Sequence, residues 1–223
     1  MFAPRLEILP PGQQWLWPRL SVFSDEGMVL YGGTAIALRL GHRISEDFDF
    51  FSERVLDKAA VRKALHGLDY EVLQDVENTY TLLIAASTPD GWVKLSCFGG
   101  LGFGRFGEPE IAAGSAVVVA SPDDLLATKL AAVMVRIQSK DYRDIAALLR
   151  AGVSLARGLA IAAGMYGAQF AAAQCLKTLT YFHGGDLAEL AANDRNTLCA
   201  AAAAVGDLPG ATRVSSILGI EKG

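Results

Sequence analysis

Polar and apolar residues follow two rhythms along this chain. Over the first 120 residues they fall into short runs of strand length, and beyond that they recur every three to four residues. "MVLYGG" (28–33) is an apolar run that ends in two glycines, the pattern of a buried strand. "TAIALRLG" (34–41) is built of helix formers and closes on Gly41. "DFDFF" (47–51) alternates with period two, which predicts a strand with one covered face. "DKAAVRKALHGL" (57–68) predicts a helix that starts on Asp57 as its cap. Three strands are expected at 70–76, 79–87 and 91–99, with turn chemistry at Asn78 and at Pro89, Asp90 and Gly91. "SAVVVAS" (115–121) is the last strand, and residues 13–25 predict a short helix broken near Pro18.

At Ser121 the rhythm changes. "SPDDLLATKLAAVMVRI" begins with a Ser cap, Pro at the first helical position and acids in the first turn. From there the chain is alanine-rich and helical, broken at Gly152, Gly164, Gly184-Gly185 and Pro209-Gly210. The expected fold class is α+β, with a mixed sheet and flanking helices over 1–120 and a helical bundle over 121–223. Hydrophobic residues make up 52% of the 223, enough for a sizeable core.

Charge excludes one function class. The chain carries 20 basic and 24 acidic residues, and neither part is a basic clamp: residues 1–120 hold 10 basic and 15 acidic, the remainder 10 and 9. Any nucleic-acid contact is therefore local, because phosphate neutralisation needs clustered Lys and Arg. Cys97, Cys175 and Cys199 are scattered and odd in number, which fits free thiols in a reducing cytoplasm. His42, His66 and His183 lie far apart and no CxxC pair exists, so no zinc site is expected. The N-terminus lacks a signal-peptide core, and no apolar run reaches membrane-spanning length.

The alternation in "DFDFF" also carries chemistry. It places Asp47 and Asp49 on one face of a strand, about 7 Å apart, with Phe48 and Phe50 on the other. Two such carboxylates repel unless a cation lies between them, and Mg²⁺ takes carboxylate oxygens together with substrate phosphate oxygens. Gly32, Gly33 and Thr34 sit where a strand hands over to a helix, a position that admits close backbone approach and attracts anions. Read alone, the acid pair also fits an exposed edge strand; the joint pattern is more specific and proposes a nucleoside triphosphate.

A second constellation lies on the helical part. Leu126, Leu130, Val133 and Ile137 form one stripe, and Lys129 sits at its margin, where its ammonium must reach an anion or solvent. Lys140, Asp141 and Asp144 are helical neighbours. The plainer account is a snorkelling lysine and a surface ion pair between Lys140 and Asp144.

"GGTAIALRLGHRISEDFDFFS" resembles the first motif of the AbiEii/AbiGii toxin nucleotidyltransferases, a branch of the polymerase-beta-like superfamily. The matching residues are Gly32, Gly33, Thr34, Ser45, Asp47 and Asp49, and "ATK" with "KDYRDI" is similar to the later motifs, giving Lys129 and Asp144 with Asp141 nearby. The resemblance implies transfer of a nucleotidyl group from an NTP to an acceptor hydroxyl. Asp47 and Asp49 would hold Mg²⁺, or Mn²⁺ in its place. Gly32, Gly33, Thr34, Ser45 and Arg43 would bind phosphates, and Lys129 and Asp144 would complete the catalytic set, with Asp141 beside them. It further implies an RNA acceptor, such as tRNA, a helix-turn-helix antitoxin, and a toxin role in a toxin–antitoxin or phage-defence pair. The chain departs from the superfamily in one place. "WVKLSCF" (92–98) has no carboxylate where a third acid is expected, and Ser96 or Lys94 stands there instead. That departure motivates alternatives: one metal ion rather than two, an inactive binding module, or transfer to a protein hydroxyl.

Other features have plainer accounts. "GGLGFGRFG" (99–107) reads as a flexible surface loop. His42 and Arg43 either cap a helix end or contact phosphate. Arg39, Arg43, Arg136, Lys140 and Arg143 are candidates to line an acceptor groove. Trp15, Trp17 and Trp92 read as core or interface residues.

Overall fold

In the computed structural model, residues 1–89 and 91–220 are described. Asp90, expected in the 89–91 turn, lies outside the described residues. The chain divides into two units, Met1–Ser121 together with the segment from Ser215 onward, and Pro122–Val214.

The first unit is built on a mixed seven-stranded sheet. Its strands are β1 (Val29–Tyr31), β2 (Asp47–Phe51), β3 (Tyr70–Val76), β4 (Thr79–Ala85), β5 (Trp92–Phe98), β6 (Glu110–Ile111) and β7 (Val118–Val119), in the spatial order β3-β4-β5-β2-β1-β7-β6. β2 pairs antiparallel with β1 and parallel with β5, so it lies near the middle of the sheet. Helices α1 (Pro11–Leu16), α2 (Ser21–Asp25), α3 (Gly32–Leu40) and α4 (Lys58–Ala64) flank it. Pro18 breaks α1 from α2, as its lack of an amide hydrogen requires.

The alternation of β2 has the expected result. Phe48 and Phe50 are fully buried, stacked on Trp17 at 6.1 Å and on Phe23 at 4.8 Å between ring centroids. Burial of each ring is worth about 2–3 kcal/mol. Gly41 closes α3 in the left-handed conformation, and Asp57 caps α4 by accepting from the amides of Ala59 and Ala60. Replacing Asp57 with Ala should lower stability by about 1 kcal/mol, read from urea denaturation.

Three local expectations are corrected. The last strand is only two residues long and has a partner, β6, that the sequence pattern did not reveal. Arg39, a candidate for an acceptor groove, turns its side chain inward, 8% exposed: it donates to Glu110 Oε2 at 2.6 Å and to the Ala120 carbonyl at 2.9 Å. The glycine-rich 99–107 segment is packed, not a loose surface loop. Arg105 is 6% exposed and donates to the carbonyls of Ile217 and Gly219, while Phe103 meets Tyr31 and Phe51 edge-on. These bonds hold the C-terminal segment to the first unit.

The second unit is helical: α5 (Pro122–Val135), α6 (Ser139–Arg150), α7 (Leu155–Tyr166), α8 (Ala172–Leu179) and α9 (Ala192–Ala203). α5 is central and packs against α6, α7 and α8. Gly158 lets α7 approach, since a methyl group there would overlap Leu126. α5 stops at Val135, so Ile137 leaves the expected stripe and is half exposed. Among the described residues, no single helix is long and apolar enough to cross a membrane.

Candidate active site

β1 ends at Tyr31 and the chain turns directly into α3. The turn needs Gly32 at φ +74°, a conformation that side chains rarely adopt. Tyr31 pairs with Asp49 across the antiparallel β1–β2 ladder, which brings the Asp49 carboxylate over the first turn of α3. A methyl group on Gly32 would overlap Asp49 Oδ2. At Gly33 a methyl group would overlap the Arg43 guanidinium and come within 2.9 Å of Ser45 Oγ. The two glycines thus leave room for an acid, a guanidinium and a hydroxyl at one helix N-terminus, whose amides and dipole favour anions. Replacing Gly32 with Ala should cost about 1–3 kcal/mol by urea denaturation, because backbone strain and displacement of Asp49 act together.

This placement removes one account of Arg43. Its guanidinium does not cap the C-terminus of α3. The 41–46 segment runs back along the helix and delivers it to the opposite end, where it also donates to the Ile44 carbonyl. Thr34 is corrected too. Because α3 begins at Gly32 rather than Thr34, the threonine faces inward, fully buried, and its hydroxyl donates to the Asp47 carbonyl. It ties α3 to β2 behind the acids and does not present its hydroxyl to a substrate.

Asp47 and Asp49 share the half-exposed face of β2. In the parallel ladder Asp47 pairs with Lys94 and Asp49 with Ser96. Lys94 Nζ lies 3.6 Å from Asp47 Oδ2. Ser96 is buried and accepts from Thr81 Oγ1 at 3.3 Å. Phe51 ends the row, stacked on Tyr31 and edge-on to Phe98 and Phe103. The donor set fits one hard divalent cation: two carboxylates supply oxygens and leave positions for phosphate and water. No group of three or more His, Cys, Asp or Glu suited to a metal occurs among the described residues.

Thiol chemistry is excluded for two of the three cysteines. Burial pushes the Cys97 thiol far above its ordinary range, with the Asp49 charge adding to the effect. Burial alone pushes Cys175 up to about 12. Neither supplies a thiolate.

In the second unit Lys129 is buried, and its ammonium meets Asp141 Oδ1 at 2.7 Å and Asp144 Oδ2 at 2.8 Å. Arg136 adds a second cation to Asp141, with Nε 2.8 Å from Oδ2. Both aspartates are fully buried. This replaces the snorkelling lysine and the Lys140–Asp144 surface pair: Lys140 is exposed, and Asp144 turns inward to Lys129. Arg136, read as a groove residue, belongs to this network. Burial alone would raise the Asp141 carboxyl, but the Arg136 hydrogen bond and the Lys129 charge outweigh it and hold the carboxyl below its usual range.

The structure thus gathers Gly32, Gly33, Arg43, Ser45, Asp47 and Asp49 within the first unit, and Lys129, Asp141 and Asp144 within the second. A family model described as nucleotidyl transferase AbiEii toxin, type IV toxin–antitoxin system, matches residues 16–205. The chain belongs to the AbiEii family. This AbiEii member is 31% identical over 124 residues to aq_aa25, an uncharacterized protein of Aquifex aeolicus. That match spans 54% of the chain and 57% of the relative. Solved structures from two organisms are similar to it in fold. JHP933 of Helicobacter pylori aligns over 86% of this AbiEii chain and 90% of its own, with a TM-score of 0.57 and 19% identity. MenT4, a nucleotidyltransferase toxin of Mycobacterium tuberculosis, aligns over 85% and 82%, with a TM-score of 0.58 and 14% identity.

Proposed function

We propose that this AbiEii protein moves a nucleotidyl group from an NTP to an acceptor hydroxyl as the toxin of a toxin–antitoxin pair. One observation carries the reading. The Asp49 carboxylate lies over the first turn of α3, with Arg43 and Ser45 at the next glycine, so a cation on the acids and phosphates on the helix N-terminus would be immediate neighbours. Asp47 and Asp49 would hold Mg²⁺ or Mn²⁺, which when bound neutralises phosphate charge and polarises phosphoryl oxygens. The α3 amides, Arg43 and Ser45 would fix the triphosphate in line with the acceptor. The acceptor oxygen then bonds to the α-phosphorus as the bond to pyrophosphate breaks, and the hydroxyl proton leaves to water. The family resemblance assigns catalytic roles to Lys129 and Asp144, with Asp141 beside them; within the second unit Lys129 gives two of its three N–H donors to those aspartates.

Family membership supports the toxin role and the MenT4 description supports the chemistry. By the same analogy the acceptor is RNA, with the tRNA 3′ end as the first substrate to try, and the antitoxin is a helix-turn-helix protein. The test is incubation with each α-labelled NTP, Mg²⁺ and total tRNA. Label should pass to RNA with wild-type protein and not with Asp47→Ala. A second reading has its own observation, the hydroxyl of Ser96 where an acid is expected beside Asp49. Saturable NTP binding without transfer to RNA or protein would establish a binding module instead, and label on protein, located by mass spectrometry, would establish a protein acceptor.

A further inference from the structure

We infer that Lys94 does the work of a second metal ion, so that the enzyme operates with one divalent cation on Asp47 and Asp49. The inference rests on the nucleotidyl-transfer reading above. Directly paired residues on neighbouring strands lie on one face, about 5 Å apart. Asp47, Asp49, Lys94 and Ser96 therefore form one small square of side chains on β2 and β5. A two-ion site needs shared carboxylates that bridge and flank both ions. Here the corner beside Asp49 is a buried hydroxyl already bonded to Thr81. The corner beside Asp47 is an ammonium 3.6 Å from its carboxylate. A second divalent ion on Asp47 would meet that like charge at contact distance, and β5 offers no acid to offset it.

Lys94 suits the substitute role. Its side chain is 43% exposed, so the ammonium reaches the acid from the open side of the sheet on a flexible stem. A cation on the acids would share the Asp47 charge and leave the Lys94 ammonium to turn toward the reacting phosphate. There it would donate to an oxygen on which negative charge grows as the acceptor oxygen bonds to the α-phosphorus and pyrophosphate departs.

Mn²⁺ titration followed by electron paramagnetic resonance, with a non-hydrolysable NTP analogue bound, tests this. Wild-type protein should hold one ion per protein–nucleotide complex, and Ser96→Asp should hold two. Lys94→Met should bind Mn²⁺ about tenfold more tightly, because a like charge is gone, yet turn over about a hundredfold more slowly. Lys94→Arg should recover most of the turnover. A lysine with a merely structural role would not move affinity and turnover in opposite directions. Two ions on the wild-type complex, a folded Ser96→Asp protein that still holds one, or a Lys94→Met protein that loses affinity and turnover together each overturn the inference while leaving nucleotidyl transfer intact. A wild-type complex that binds no ion removes both.

Discussion

Asp49→Asn protein folds normally and transfers at least about a thousandfold less nucleotide than wild type. The scale follows from what the carboxylate does. A bound cation contributes several kcal/mol of charge stabilisation at the phosphoryl group, and each 1.4 kcal/mol is a factor of ten in rate. Asn keeps the size and planar shape of Asp, so the contact over Gly32 survives. The check pairs a transfer assay with a melting curve on the same preparation. Activity within tenfold of wild type, in a folded variant, would remove Asp49 from the metal site and with it the proposed mechanism. Asp47→Asn should lose less than Asp49→Asn, because Lys94 already offsets part of the Asp47 charge.

What the sequence made legible here was local. Period-two alternation put Phe48 and Phe50 on the core side and left Asp47 and Asp49 together, because strand geometry alone enforces it. Gly41 and Asp57 announced helix ends through short-range backbone chemistry. Where the outcome depended on partners distant along the chain, local pattern misled. Lys140 and Asp144 have ideal helical spacing, yet the packing of α5 on α6 gives Asp144 to Lys129, fifteen residues away. The glycine-rich 99–107 segment has the composition of a mobile loop, yet Arg105 is fixed by carbonyls more than a hundred residues further on. Thr34 has the right chemistry for a phosphate ligand. Its inward orientation follows from a helix that begins two residues earlier than composition indicated.

The same long-range packing makes Lys129 the residue whose loss should cost most stability. Lys129→Met leaves two fully buried aspartates, with Arg136 still beside Asp141 and the bond from Lys129 to Asp144 gone. Removing one partner from a buried ion network costs about 3–5 kcal/mol, because the charges left inside lose part of their compensation. Urea denaturation at pH 7 should show a loss of that size. Removing the whole set should cost far less: adding Asp141→Asn and Asp144→Asn to Lys129→Met leaves no buried charge stranded and should restore most of the difference. Acid supplies an independent check. Asp141 is held below its usual carboxylate range in the folded protein, so its contribution is fully present above an unfolded carboxyl pKa of about 4 and is lost as the pH falls through the lower folded value. Wild type should therefore weaken in that window. In Lys129→Met the loss of the lysine charge moves the Asp141 carboxyl back up toward its usual range, so the variant loses less as the pH falls and the two stabilities converge. A loss under about 1 kcal/mol at pH 7, or a gap that widens on acidification, would show that these four side chains do not act as a closed buried network.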